Sequence, residues 1–138
     1  MGCELLKKLT LGQSASVPTQ SSYEFDHLSN LTELTFLKET PFSVSKPSTF
    51  GSLGTLCTIY VPYPSLEAYL TATNYPSPSI YTYIGFATYT DQAALPGQTV
   101  GQAYSVTWYA SKEDAIAETN PILVGNGNEI YCRYSSII

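Results

Sequence analysis

The sequence predicts an all-β protein, a β-sandwich or a jelly roll, on three observations. Short runs alternate apolar and polar residues with the period of two that a pleated strand imposes. Clusters of Pro, Gly and Asn separate these runs where turns are needed. Helix-period patterning is confined to brief stretches. A barrel stays open as an alternative, because the number of strands does not decide closure.

The elements follow in chain order. From Glu4 to Leu11, Leu5, Leu6, Leu9 and Leu11 surround Lys7 and Lys8, a pattern for a short amphipathic helix or an arm that docks on a neighbour. Gly12 to Ser22 turns to Ser, Gln, Thr and Pro without periodicity and reads as a linker. The expected division is therefore an arm and linker over 1–22 and one β domain over 23–138. Leu34 and Phe36 alternate with Glu33 and Thr35 in a strand between Leu31 and Lys38. Pro41, Pro47, Gly51 and Gly54 mark a loop. Thr55 to Val61 is rich in β-branched and aromatic residues, and Pro62 and Pro64 stop it.

Ser65 stands where an N-cap serves a short helix through Leu66, Glu67, Ala68, Tyr69 and Leu70, its hydroxyl offered to a free backbone N–H. A Pro-rich turn covers Asn74 to Pro78. Ile80 to Thr90 reads as a central strand, with Ile80, Ile84 and Phe86 on one face and Tyr81, Tyr83, Ala87 and Tyr89 on the other. Pro96-Gly97 suits a type II turn. Ala103 to Ala110 sets Tyr104, Val106 and Trp108 against Ser105, Thr107 and Tyr109, with Trp108 expected in the core. After a Gly125-Asn126-Gly127-Asn128 turn, Glu129 to Ser135 sets Ile130, Cys132 and Tyr134 against Tyr131 and Arg133.

Composition narrows the function. The 138 residues are 43% hydrophobic and only 12% charged, about half the usual charged fraction. A surface built from hydroxyls and amides packs against neighbours without desolvating ions. Twelve Tyr against one Trp and five Phe give an aromatic set with polar tips, favoured in strands and in contacts. Six scattered basic residues and a net charge of −5 argue against nucleic acid, which needs clustered cations. Cys3, Cys57 and Cys132 lack metal-site spacing, and reduced thiols are expected. No stretch reaches membrane-spanning length, and the opening residues lack the apolar core of a secretory signal. Met1-Gly2-Cys3 is like the start of acylated proteins, but Leu6 occupies the position where that pattern wants Ser or Thr.

The segment Tyr104-Ser-Val-Thr-Trp-Tyr-Ala-Ser-Lys-Glu-Asp-Ala115, with Thr119-Asn-Pro-Ile122 and Glu129-Ile-Tyr-Cys-Arg133, resembles the Ig-like repeats of bacterial surface adhesins and gliding-type proteins. That resemblance implies an Ig-like sandwich in which Ser111 caps a short turn begun by Glu113 and Asp114. In it Ala115 enters the core, and Asn120-Pro121 returns the chain extended. The adhesins repeat the unit in long chains, and no such repeat occurs here. By type, a short, weakly charged Ser/Thr/Tyr-rich β-domain is also similar to small structural proteins of tailed bacteriophages.

Pieces for chemistry are thin. His27, with Asp26, Ser21, Ser22 and Ser29 nearby, lies in polar loop and reads as a solvated histidine, not a triad member. Glu113, Asp114 and Glu118, with Asn126 and Asn128, suggest a calcium site only without calcium-loop spacing, and acids at a helix start are expected from its dipole. Asn30-Leu31-Thr32 fits the glycosylation acceptor pattern, a frequent accident in Thr-rich chains.

The expected function is non-enzymatic and needs no cofactor. The chain is read as a virion protein, a capsid decoration or tail component of a bacteriophage, that meets other virion or surface proteins or its own copies as a homo-oligomer. It does so through strand edges and its arm. The alternative is a cell-surface adhesion or carbohydrate-binding module with Tyr rings as stacking platforms. Leu5, Leu6, Leu9, Tyr81, Tyr83, Tyr89 and Tyr109 form the candidate interaction surface.

Overall fold

The structure, a computed structural model, describes residues 7–12, 30–41, 53, 57–72, 75–76, 78, 81–88, 95 and 104–136. Among them run seven strands and two short α-helices, with parallel and antiparallel pairs both present. The protein is thus mostly β, as expected. Its contacts divide it into two compact units, Met1–Tyr83 and Ile84–Ile138.

In the first unit β1 (Lys8–Leu11), β2 (Glu33–Phe36) and β3 (Thr58–Pro62) pair in that order, all parallel. Lys8–Leu11 is therefore a strand where a short helix or a docking arm was expected. Lys8 and Thr10 alternate with Leu9 and Leu11, and period two fits a pleat better than a helical turn. The register sets Leu9 beside Leu34 and Ile59, and Leu11 beside Phe36. Leu34, Phe36 and Ile59 are fully buried, whereas Leu9 and Leu11 at the rim are half-buried. On the opposite face Lys8 lies beside Glu33, an opposite-charge cross-strand pair. Thr58 to Val61 are buried without alternation, so both faces of β3 are covered.

Pro62 ends the strand and leads through a 3₁₀ turn, Tyr63–Ser65, into α1 (Leu66–Leu70). Ser65 occupies the N-cap position as predicted, but its hydroxyl caps nothing. The preceding 3₁₀ turn supplies Tyr63 O to the Leu66 N–H. Leu66 and Tyr69 point inward. The Tyr69 ring stands 5.1 Å from Phe36 and 5.7 Å edge-on to Tyr75, a geometry that suits ring quadrupoles.

Strand β4 (Thr82–Thr88) begins in the first unit and continues into the second, which adds β5 (Tyr104–Tyr109), α2 (Lys112–Ala117), β6 (Pro121–Ile122) and β7 (Glu129–Ser136). Here β7 runs antiparallel between β4 and β5, and β6 pairs antiparallel with β5. The register aligns Gly85, Cys132 and Trp108 in one row, and Phe86, Tyr131 and Tyr109 in the next. Trp108 is buried, as expected, and so are Ile130 and Cys132, which the alternation set on one face.

Helix α2 packs on β7 and β5 through the buried Ala115. Ser111 Oγ accepts the Asp114 N–H at 3.1 Å, which completes the expected N-cap. At the other end Glu118 adopts φ 57°, ψ 43°, and the Thr119 N–H reaches back to Asp114 O at 3.0 Å, closing a Schellman-type turn. Arg133 Nη1 donates to Ala115 O at 3.1 Å and Ile116 O at 2.8 Å, serving carbonyls that the helix leaves orphaned. Its Nε lies 3.5 Å from Glu118 Oε1.

Glu118 holds a left-handed position that glycine adopts without steric cost. Its exposed ion pair contributes at most a few tenths of a kcal/mol. Glu118→Gly is expected to stabilise the chain by about 0.5–1 kcal/mol in urea unfolding. A loss of stability of that size would show that the ion pair outweighs the backbone.

Candidate functional site

The feature best placed for recognition is the outer edge of β1. Lys7 O anchors the strand, accepting the N–H of Thr32 at 2.8 Å and of Glu33 at 3.2 Å, and the Thr32 hydroxyl at 3.1 Å. At the far end the Leu37 N–H donates to Leu11 O at 2.9 Å. In a parallel ladder the carbonyls that face β2 recur at every second residue, so the N–H and C=O of Lys8 and Thr10 turn to the opposite side. No strand pairs with that side among the described residues. Lys8 and Thr10 are exposed, and the flanking Lys7 adds a second cation. An added strand would find two donors and two acceptors and would finish covering Leu9 and Leu11.

Of the predicted interaction residues, Leu9 belongs to this edge. Leu5, Leu6 and Tyr89 lie outside the described residues, as do His27, Asp26, Ser21, Ser22, Ser29 and the Pro96-Gly97 turn. The tyrosines correct the reading. Tyr83 is 0% exposed and Tyr109 4%, so neither presents a ring to solvent. Tyr81 is half-buried.

Hydroxyl chemistry explains the correction. A phenol can be buried whole when its O–H finds an acceptor, and loop carbonyls need donors. Tyr83 donates to Pro76 O at 2.7 Å, Tyr69 to Lys38 O at 2.6 Å, and Tyr81 to Leu53 O at 3.2 Å. Three tyrosines of the first unit thus fasten three non-strand segments. Tyr109, in the second unit, sits near Glu118 and Arg133 at the end of α2. Alternation told which tyrosines share a face, but not that the face is covered.

Burial also sets the acidity of these groups. It pushes the Tyr69 phenol up to about 12. Tyr83 rises further through burial first and then through Tyr75, Cys57, Tyr69 and Tyr81. Cys57 and Cys132 are free and buried, in line with the expected reduced thiols. Burial, with Glu33 adding to it, lifts Cys57 to about 11. Burial lifts Cys132 to about 12 against backbone hydrogen bonds that lower it. Both stay as thiols at neutral pH, in a form that is a poor nucleophile.

The acidic residues of α2 are engaged separately. Asp114 Oδ1 accepts from the Thr119 hydroxyl at 3.0 Å and from Asn120 Nδ2 at 3.5 Å, while Glu118 faces Arg133. Asn126 Oδ1 takes the Asn128 N–H at 3.0 Å. Among the described residues no three His, Cys, Asp or Glu side chains converge to hold a metal ion, and no helix is long and apolar enough to cross a membrane. No protein-family model, curated protein or solved structure matches the chain.

Tyr83→Phe should cost about 1–2 kcal/mol, because it leaves the Pro76 carbonyl without its donor. Chemical denaturation measures this, and an unchanged midpoint would remove the fastening role. An acid held above its unfolded pKa keeps its proton longer when folded, so stability is full below the unfolded value and falls as pH rises toward the folded one. With ordinary values of 9.0 for thiols and 10.0 for phenols, and folded values of about 12 for Cys132 and Tyr69, melting temperature should decline from pH 9 to pH 12. A flat profile over that range would contradict the burial of these groups.

Proposed function

We propose that the chain is a non-enzymatic structural protein, a bacteriophage capsid-decoration or tail component that assembles by adding strands at the β1 edge. The outer side of β1, unpaired among the described residues, carries this reading, together with the half-buried Leu9 and Leu11 beside fully buried row-mates. The low charged fraction supports it, since such surfaces associate without stripping water from ions. The finer fold reading, an Ig-like or jelly-roll sandwich, draws its support from the antiparallel β4, β7 and β5 and from the Ser111-capped turn. The parallel β1 to β3 have no counterpart in that pattern.

A second copy suits the edge. Antiparallel pairing centred on Leu9 places Lys8 opposite Thr10 of the second copy, and these are the two residues whose backbone groups face outward. The two Lys8 side chains then lie diagonally and not face to face. The carbohydrate-binding alternative is weakened, because Tyr83 and Tyr109 are enclosed.

Thr10→Pro removes an outward N–H while leaving the bonds to β2 intact, which an edge strand tolerates. Light scattering after size exclusion should find the full chain assembled and Thr10→Pro monomeric, with equal melting temperatures at low concentration. Assembly that survives Thr10→Pro, or a wild-type chain that stays monomeric at every concentration, would defeat the edge model.

A further inference from the structure

The loop between β6 and β7 ends in Gly125-Asn126-Gly127-Asn128. Asn126, Gly127 and Asn128 are all exposed. The Asn126 carboxamide is held over the next peptide group, since its Oδ1 accepts the Asn128 N–H at 3.0 Å. Gly127 sits at φ 80°, a conformation natural to a residue without a Cβ. Among the described residues no backbone acceptor pairs with its N–H. An electrophilic carboxamide and the adjacent main-chain nitrogen thus sit in one exposed turn, and no backbone acceptor among the described residues engages that nitrogen.

We propose that Asn126-Gly127 is a site of spontaneous covalent modification, in which the chain cyclises and deamidates. Solvent base takes the Gly127 amide proton, and the nitrogen attacks Asn126 Cγ. A new N–C bond forms, and negative charge develops on Oδ1. The tetrahedral centre collapses by breaking the bond to Nδ2, which leaves as ammonia after taking a proton from water. The product is a five-membered succinimide. Water then adds to one of the two ring carbonyls, and cleavage of the matching C–N bond yields aspartate or isoaspartate. The net change is one amide and one water giving one carboxylate and one ammonium, with no oxidant or reductant involved.

The structure helps at the charged step. The Asn128 N–H already points at Oδ1, so a donor stands where the oxyanion develops. Asn120 provides an internal control, because Pro121 follows it and has no N–H to deprotonate. Isoaspartate formation has a structural result. It routes the main chain through the former side chain, adding a carbon just before β7 and turning the acceptor of the Asn128 N–H into a main-chain carbonyl.

Freshly purified full chain, held in mildly alkaline buffer and then digested with trypsin, yields the piece 113–133, in which electron-transfer fragmentation separates aspartate from isoaspartate. The same piece, digested first and incubated alone, is the unfolded reference. Asn126 in the folded chain should convert at least as fast as in the free piece, with isoaspartate the larger product and Asn120 unchanged in both. Asn128→Pro should slow conversion in the folded chain but not in the free piece, and Asn126→Gln should abolish it. An intact Asn126 in the folded chain while the free piece converts would overturn the proposal. Equal folded rates for Asn128→Pro and wild type would remove the role given to the Asn128 N–H.

Discussion

A tyrosine enters a protein interior only if its hydroxyl finds an acceptor there, and a loop is held against a core only if its carbonyls find donors. In the first unit these two needs answer each other. Tyr69, Tyr81 and Tyr83 donate to Lys38, Leu53 and Pro76, carbonyls that lie outside the strand ladders. The Tyr69 ring packs against Phe36 beside Tyr75, while the three hydroxyls fasten the connections. A chain that is 12% charged has few ion pairs with which to do the same. Its tyrosines take over that role, and their lowered acidities follow from the same burial.

In the second unit the organising group is Arg133. It stands on β7 between Ile84 and Thr107 of the neighbouring strands and reaches the last carbonyls of α2. One guanidinium thereby joins a strand, a helix end and the left-handed Glu118. Lys112 lies 5.9 Å above the Tyr131 ring, so both cations on this face hold the helix to the strands. The helix is only six residues long and would not persist alone in water.

Much of this was legible in the residues. The alternation of Glu33 to Phe36, of Tyr104 to Tyr109 and of Glu129 to Tyr134 appears as strands, with Leu34, Phe36 and Trp108 inward as expected, and Ser111 caps where capping chemistry requires it. The pairing of β1 with β2 was not legible, because parallel strands are joined by long connections and carry no local turn signal. Strand β6 has two residues, too few to show a period. The burial of Tyr83 and Tyr109 escaped for a related reason: a period of two says which residues share a face, not what covers it. At the candidate edge only Leu9 was foreseen, and for the wrong geometry. The cue was present in the alternation of Lys8 to Leu11, hidden by the leucines before it.

The parallel arrangement of β1 and β2 also decides how the chain bears load. Their hydrogen bonds are distributed along the strands from Lys7 to Leu37 and run across the strand direction. Tension between the chain ahead of β1 and the chain beyond β2 pulls the two strands past each other lengthwise. Every bond of the ladder is then strained at once, with the three donors on Lys7 O among them, so rupture requires the set to fail together. An antiparallel hairpin pulled from its two ends opens one bond at a time. The first unit therefore resists being drawn out by tension applied through β1.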